Sequence, residues 1–173
     1  MAMRRVNHLK EIITTLSESD VDFIICGGVA LVLHGIERMT MDLDLSVDLR
    51  EQNLRRFIDA MKKLGLVPRV PVSAESILDP EMRRLMVEEK NALVFTFIDL
   101  HNPYRQVDIF ITDAISFDSL NSFVDTITIG DSTVKLVTKK KLLEMKKVIE
   151  NPRDKDLYDI HLLEKILRKS EDL

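Results

Sequence analysis

Cysteine, tryptophan, glycine and proline are all scarce in this sequence of 173 residues. It has one cysteine and no tryptophan, and glycine and proline occur five times each. A lone Cys26 cannot form an intramolecular disulfide, which excludes a small scaffold held by disulfides and favours a reducing compartment. The low glycine and proline content, with 45% hydrophobic residues, excludes collagen-like and disordered chains. The length then predicts a single domain over residues 1–173.

Long hydrophobic runs and an excess of positive charge are also missing. The longest apolar stretch, Phe23 to Leu33, is about half the length of a membrane-spanning helix. Polar side chains interrupt the segment after the basic residues 1–5, so no signal peptide is predicted. A formal net charge of -4 gives no general attraction for nucleic acid. We therefore expect a cytoplasmic protein with no membrane partner.

Hydrophobic periodicity predicts helices and strands that alternate through most of the chain. In the first half the predicted elements are a helix near residues 9–16, a strand at 23–26, a short helix at 29–33, a strand from Asp42 to Asp48, a helix at 54–64 and a short strand within 66–72. Gly35 is expected to end the second helix in a left-handed conformation. The segment 74–90 has no clear pattern, and a lid over a site is one reading of it.

The second half predicts two antiparallel hairpins followed by two helices. The predicted hairpins pair residues 92–100 with 106–111, and 125–129 with 133–137. Their turns are expected at His101–Arg105 and at Gly130–Asp131. Helices from about residue 138 to 170 are separated by Asn151–Pro152. Interleaved elements of this kind indicate an α/β (α+β) fold, a mixed sheet with helices packed on it.

Two aspartates occupy alternate positions of one predicted strand. Because strand side chains alternate, Asp42 and Asp44 point to the same face with α-carbons about 6.5 to 7 Å apart. Their mutual repulsion suggests a compensating Mg²⁺, a hard ion that binds oxygen ligands. Asp108, on a later strand, would complete the cluster if that strand lies beside the first. Two structural interpretations remain as alternatives. Asp42 and Asp44 could be solvated acids on the polar face of an amphipathic strand, a face that Asp48 would continue. Asp108 could likewise be a solvated strand residue.

A glycine pair, Gly27–Gly28, ends one predicted strand and precedes a helix. Free backbone N–H groups and the positive end of the helix dipole favour a phosphate at such a position. Arg38 is equally well interpreted as a phosphate ligand or as a solvated loop charge. His34 is expected to bond a nearby carbonyl group rather than to act as a base.

Together these features resemble the nucleotidyltransferase superfamily of the DNA polymerase β type. The matching stretches are Cys26-Gly27-Gly28, then Asp42-Leu43-Asp44-Leu45 after thirteen residues, and later Val107-Asp108-Ile109. The arrangement is similar to that of minimal nucleotidyltransferases, including those like abortive-infection toxins, in the positions of Ala30, His34, Gly35, Arg38, Thr40 and Asp42. A late Lys146 and the helix Arg153 to Asp159 extend the resemblance to about residues 20–160.

The resemblance implies a metal-dependent enzyme that moves a nucleoside monophosphate from an NTP to an acceptor hydroxyl and releases pyrophosphate. Two Mg²⁺ ions, with Mn²⁺ as an alternative, would serve as cofactors. The implied catalytic and metal-binding residues are Asp42, Asp44 and Asp108, and the implied nucleotide-binding residues are Gly27, Gly28, Arg38 and Lys146. Asp156 and Asp159 are expected to be structural, forming ion pairs.

The acceptor and the activity leave several alternatives. RNA, a protein or a small molecule could be the acceptor, although aminoglycoside-modifying enzymes usually carry a larger acceptor domain than the roughly 35 residues after Val137. A second reading is an inactive module that binds a nucleotide or a cognate partner protein, for example as half of a toxin–antitoxin pair. A third is a structural α/β domain, which would leave the clustered acids without a reason.

Overall fold

A computed structural model describes residues 2–172 of the chain and the side chains of residues 8–172, so the side chains of the basic residues 1–5 lie outside it. The helices are α1 Ala2–Glu18, α2 Gly27–Leu33, α3 Glu51–Lys63, α4 Pro80–Lys90, α5 Phe117–Leu120, α6 Lys139–Lys147 and α7 Asp154–Glu171. The strands are β1 Phe23–Cys26, β2 Asp42–Val47, β3 Val67–Pro68, β4 Val94–Asp99, β5 Asn102–Phe110, β6 Val124–Ile129 and β7 Ser132–Val137. Short 3₁₀ turns occur at Ala74–Leu78 and Asp113–Ile115.

The strands of the described residues form one sheet in the order β3-β4-β5-β2-β1-β7-β6. β2 runs parallel to β5 and β1 runs parallel to β7. The other neighbours are antiparallel, including the two predicted hairpins β4–β5 and β6–β7. The predicted mixed sheet with helices packed on it is confirmed. Gly35 also has the expected left-handed conformation, with φ of 91°.

One face of the sheet forms the core, and this fixes where the other face points. A row of buried side chains crosses five strands in register, made of Phe95, Ile109, Leu45, Ile25 and Leu136. Helix α3 covers this face, with the ring of Phe57 against that of Phe97 at a centroid distance of 5.5 Å. Each large apolar side chain buried there contributes about 1.5 to 3 kcal/mol. Because side chains alternate, Asp42 and Asp44 lie on the opposite face.

The predicted turn at His101–Arg105 is wrong. β5 already begins at Asn102, and the hairpin closes more tightly, with a register shift between Ile98 and Asp99. The local cause is a carboxylate, because Asp99 Oδ1 accepts a hydrogen bond from the backbone N–H of His101 at 2.8 Å. Asp and Asn side chains that bond the backbone two residues on favour such short turns.

The remaining predicted elements agree with the structure in kind. β3 has only two residues, because Pro68 within it and Pro71 after it lack the backbone N–H that a longer strand would need. Segment 74–90, which had no clear pattern, forms a 3₁₀ turn and α4. The two late helices are separated at Asn151–Pro152 as predicted. Among the described residues, no helix combines the length and hydrophobicity that a membrane span requires.

Candidate active site

Asp42, Asp44 and Asp108 lie together on the face of the sheet opposite α3, where Asp42 and Asp44 are half-buried and Asp108 is buried. Asp44 is in register with Asp108 of β5 on one side and with Cys26 of β1 on the other. Asp42 is in register with Gln106. Neighbouring strands are about 4.8 Å apart, so the three carboxylates share one small region. The strand adjacency that the sequence only suggested is therefore observed.

The open region of this face is short. Ser46 follows Asp44 on the same face of β2, but it is buried beneath the 3₁₀ turn, where its Oγ donates to the carbonyl of Ile115 at 2.9 Å. Asp48 continues the polar face and bonds Arg50 instead, with its Oδ1 3.0 Å from Nε. The alternating acids thus divide into Asp42 and Asp44, which join Asp108 of β5 in a cluster at one end, and Asp48, which forms a surface ion pair at the other.

Negative charge is concentrated in the cluster. Burial, together with the charges of Asp108 and Asp42, raises the pKa of Asp44 to about 7, against the opposing charges of Lys146 and Lys155. Burial and Asp108 also raise the pKa of Asp42, against Arg69 and Lys155. Among the described residues no lysine, arginine or histidine forms a salt bridge with any of the three. The cluster is a place where a cation would be stabilised.

Asp108 is held by two polar neighbours that the sequence analysis missed. Thr96 Oγ1 donates to Asp108 Oδ1 at 2.6 Å from the neighbouring strand. Gln106 Nε2 lies 3.2 Å from Oδ1 and 3.1 Å from Oδ2 of the same carboxylate. Gln106 stands two residues before Asp108, so strand alternation alone would have placed it on this face. Arg69, which donates to Gln106 Oε1, has no comparable signal in the sequence.

The glycine pair lies directly against this cluster. Gly27 has a φ of +59°, and a Cβ there would lie 2.1 Å from Asp44 Oδ2. A Cβ on Gly28 would lie 2.6 Å from Thr40 Oγ1 and 3.3 Å from Arg38 Cζ. No side chain caps the start of α2 at Cys26. Glycine is therefore required at both positions, and bare backbone faces the carboxylates on one side and a guanidinium on the other.

The two predicted cations, Arg38 and Lys146, are bound by buried acids. Arg38 Nη1 lies 2.5 Å from Asp159 Oδ2, and Lys146 Nζ lies 2.9 Å from both Asp159 Oδ2 and Asp156 Oδ1. Burial alone would raise the pKa of Asp156, but hydrogen bonds from Arg153 and Lys146 hold it well below the usual value. Helices α6 and α7 are thereby joined to the loop that precedes β2.

Several other candidates have local roles. His34 Nε2 lies 2.7 Å from the carbonyl oxygen of Val137, as expected for a structural histidine. Burial raises the pKa of the Cys26 thiol to about 12, so it stays protonated. In the possible lid, Asp79 caps α4 at 2.9 Å from the N–H of Glu81, and Arg83 donates to the carbonyl of Ile77 at 2.6 Å.

One cavity lies away from the carboxylates. It has a volume of about 810 Å³ and is lined by Arg83, Arg84 and Asp48, among others. These residues lie beyond the far end of β2 rather than beside Asp42 and Asp44. The segment 74–90 therefore borders a second surface in this structure, not the carboxylate cluster.

The donor chemistry of the cluster fits a hard divalent cation. Carboxylate oxygens are the ligands that Mg²⁺ prefers. Burial first, and then neighbouring carboxylates, raise the pKa of Asp42 and of Asp44, so a bound cation would favour their ionised forms. The side chains do not have the arrangement of ligands around a bound ion. Among residues 8–172, no three acidic, histidine or cysteine side chains converge on a common point. Carboxylate rotation on binding would complete the set.

The sheet order and the carboxylate cluster define a nucleotidyltransferase fold. The model of the AbiEii family, described as nucleotidyl transferase toxins of type IV toxin–antitoxin systems, matches residues 11–172. The chain belongs to this family and is a nucleotidyltransferase. Nucleotidyltransferases of this kind generally use divalent metals. No curated protein matches the chain in sequence.

Two solved structures share the fold at low sequence identity. One is a lincosamide antibiotic adenylyltransferase, LnuA, with lincomycin bound; it has 16% identity and a TM-score of 0.62, over 92% of this chain and 96% of that one. The other is the solution structure of the antibiotic-resistance factor ANT(2'')-Ia, with 14% identity and a TM-score of 0.62, over 96% of this chain and 86% of that one. Identities this low establish the fold alone.

Proposed function

We propose that this protein transfers a nucleoside monophosphate from an NTP to an acceptor hydroxyl, in a site built on Asp42, Asp44 and Asp108. The observation that carries the proposal is that these carboxylates share one face in register and have no cation in contact among the described residues. Residues 1–173 would act as one nucleotidyltransferase domain. A cytoplasmic location remains a prediction from the sequence.

The carboxylates would have distinct tasks. Two Mg²⁺ ions, or Mn²⁺, would neutralise the triphosphate and lower the pKa of the acceptor hydroxyl when bound. Asp42 and Asp44 would hold both ions, and Asp108 the one nearer the acceptor. The acceptor oxygen would bond to the α-phosphorus, and the bond from that phosphorus to the bridging oxygen would break. Pyrophosphate would leave with the bonding electrons, and Asp108 would accept the hydroxyl proton.

The nucleotide phosphates would lie against the start of α2. Gly27 and Gly28 present backbone without side chains there, and no side chain caps the helix. The Arg38 guanidinium lies next to Gly28, which places one cation beside the same turn. Lys146 is close enough for its charge to oppose the raised pKa of Asp44. Both cations would stay held by Asp156 and Asp159 while they contact the nucleotide, which would limit their movement.

The acceptor class remains open between RNA, protein and a small molecule. The short C-terminal region gives less reason to exclude a small-molecule acceptor, because the antibiotic adenylyltransferase LnuA is matched over 96% of its own length. A partner protein is proposed from the toxin–antitoxin name of the family. The second candidate is an inactive or partner-activated binding module. The ion pairs that already occupy Arg38 and Lys146 favour it, because they reduce the positive charge available to a triphosphate.

The test is a transfer assay with each α-labelled NTP and Mg²⁺, offering the protein itself, total tRNA and a panel of small hydroxyl compounds as acceptors. Wild type should label one acceptor class, and the Asp42→Asn/Asp44→Asn variant should label none. Asp48→Asn, on the same strand face but outside the cluster, is the matched control and should retain activity. Magnesium-dependent NTP binding without transfer would favour the binding module.

A further inference from the structure

A line of polar side chains connects the carboxylate cluster with the edge of the sheet. The backbone N–H of Arg69, just after β3, donates to the carbonyl of Thr96 at 2.9 Å, and Thr96 is in register with Asp108. The side chain of exposed Arg69 turns back over this row and donates from Nη2 to Gln106 Oε1. The amide nitrogen of Gln106 then donates to Asp108. The contacts run in one direction, from Arg69 through Gln106 to Asp108.

The bond from Arg69 decides which way the Gln106 amide points. A glutamine amide has an acceptor end and a donor end, and their assignment follows from the hydrogen bonds around them. A guanidinium can only donate, so it selects the oxygen of Gln106 and leaves the NH₂ group for Asp108. Asp108, which can only accept, selects the same orientation from the other side, so the amide is held at both ends. Without Arg69, the Gln106 amide would lose the bond at its oxygen and would be held only by its contact with Asp108.

The bonds from Gln106 and Thr96 decide which oxygen of Asp108 remains available. Among the described residues, Oδ1 accepts from both neighbours, whereas Oδ2 is contacted only by Gln106, at 3.1 Å. Each carboxylate oxygen has about two acceptor positions. Oδ1 is therefore saturated, and Oδ2 keeps a position free for a cation or an acceptor hydroxyl.

We propose that Arg69 and Gln106 are positioning residues for nucleotidyl transfer: Arg69 fixes the Gln106 amide, which fixes the Asp108 carboxylate with Oδ2 available. This inference rests on the proposed function, because it takes Asp108 as a metal ligand. Neighbours that orient metal ligands typically change metal affinity 10- to 100-fold when removed. Neither residue is expected to touch the metal.

The experiment measures the dissociation constant of Mn²⁺ without nucleotide, by electron paramagnetic resonance, together with crystal structures of the metal-free variants. The variants are Gln106→Leu, Arg69→Met, Arg69→Lys and the double variant Arg69→Met/Gln106→Leu. Arg55→Met is the matched control, because Arg55 is an exposed arginine whose partner, Glu51, lies on its own helix at 2.8 Å. Thermal melting checks that each variant is folded.

Gln106→Leu should raise the Mn²⁺ dissociation constant about tenfold or more, and Arg69→Met should raise it severalfold. Arg69→Lys, which keeps a donor for Gln106, should stay close to wild type, as should Arg55→Met. The double variant should equal Gln106→Leu alone, because a relay has no effect once its middle member is missing. In the crystals, Asp108 should change its rotamer in Arg69→Met but not in Arg55→Met.

The sign of the Arg69 effect separates the relay from simple electrostatics. If Arg69 acted only through its charge, Arg69→Met would remove a repulsive cation and strengthen Mn²⁺ binding, which would overturn the proposal. Additive losses in the double variant would overturn it too, as would an unchanged Asp108 rotamer in Arg69→Met. Absence of Mn²⁺ binding in wild type would count against the metal site, and the rotamer of Asp108 would still decide the relay. If Gln106→Leu does not fold, the Mn²⁺ affinities of Arg69→Met and Arg69→Lys test the proposal instead.

Discussion

Two groups of aspartates, buried or half-buried, lie within the same protein and have opposite electrostatic surroundings. Asp156 and Asp159 contact Lys146 and Arg38 at 2.5 to 2.9 Å, and the pKa of Asp156 is held well below its usual value. Asp42, Asp44 and Asp108 have no such contact among the described residues, and the pKa of Asp44 is raised to about 7. The residue type is the same, so the difference comes from the neighbours.

The two groups therefore differ in role: the ion-paired aspartates stabilise the fold, whereas the unpaired aspartates are available to bind a ligand. A buried carboxylate that contacts cations is compensated within the fold, even though Asp159 Oδ1 itself has no hydrogen-bond partner among the described residues. A cluster of carboxylates without a cation instead destabilises the protein until something compensates it. Asp156 and Asp159 join α6 and α7 to the loop before β2. Asp42, Asp44 and Asp108 form no ion pair among the described residues, although Asp108 accepts hydrogen bonds from Thr96 and Gln106.

The largest expected effect is a loss of transfer activity when an aspartate of the unpaired group is replaced. Asp44→Asn should reduce nucleotidyl transfer about 10³-fold or more, because removing a catalytic group usually costs at least this much. The variant should remain folded, since no ion pair is broken. Steady-state transfer of an α-labelled NTP measures the effect, beside Asp48→Asn. Retention of a tenth of the wild-type rate would contradict the assignment of Asp44.

In the paired group, removing one partner should destabilise the fold instead. Lys146→Met leaves Asp156 and Asp159 buried with one fewer cation, and breaking a buried pair from one side costs about 3 kcal/mol. Urea denaturation measures the free energy of unfolding. Lys147→Met, an exposed neighbour paired with Glu164 at 2.9 Å, should cost less than about 1 kcal/mol. Equal losses of unfolding free energy in Lys146→Met and Lys147→Met would contradict the distinction between the two aspartate groups.

The two groups should also respond to pH in opposite directions. The folded pKa of Asp44 is above its unfolded value of 3.8, so the folded state binds the extra proton and its stability falls as pH rises toward 7. The pKa of Asp156 is lowered, so its contribution is lost as pH falls below the ordinary range. Without metal, Asp44→Asn should therefore be more stable than wild type at pH 8, by on the order of 2 kcal/mol, and this advantage should disappear near pH 4.

Chemical denaturation at both pH values, in the presence of a chelator, measures this difference. A wild type that is more stable than Asp44→Asn at pH 8 would mean that a cation of the protein already neutralises Asp44. The supposed contrast between the two aspartate groups would then be wrong.

The smallest effect tests how closely Gly27 approaches Asp44. Gly27→Ala and Gly35→Ala both place a side chain at positive φ, which costs about 1 kcal/mol. Only at Gly27 would the new Cβ meet Asp44, since nothing lies within 4 Å of a Cβ at Gly35. Gly27→Ala should therefore lose transfer activity while Gly35→Ala keeps it. Equal activities at matched stability would show that the carboxylate has room to move.

Much of this arrangement was predictable from local patterns. Strand alternation placed Asp42 and Asp44 on one face, and the spacing from the glycine pair pointed to the nucleotidyltransferase fold. The adjacency of Asp108 to Asp44 could not be predicted from local patterns, because strand order depends on packing of the whole sheet.

The wrongly predicted hairpin turn would also have given the wrong neighbour for Asp108. A five-residue turn between Leu100 and Gln106 would put Ile98 opposite Asp108, whereas the tighter turn puts Thr96 there.

The cation contacts were the least predictable part of the site. The ion pair between Arg38 and Asp159 spans 121 residues of sequence, and no local pattern indicates such a partner. Arg69 reaches the cluster only because an edge strand of two residues lies beside β4. Such contacts follow from tertiary packing, and single-sequence patterns carry no direct information about them.

The most direct test of the account is a titration of the metal-free protein with Mn²⁺, followed by electron paramagnetic resonance, for wild type and for Asp42→Asn/Asp44→Asn. The account predicts that wild type binds Mn²⁺, that Mg²⁺ competes for the same site, and that the double variant loses this binding while remaining folded. Equal Mn²⁺ binding by the two proteins would contradict the claim that the unpaired carboxylates are the metal site.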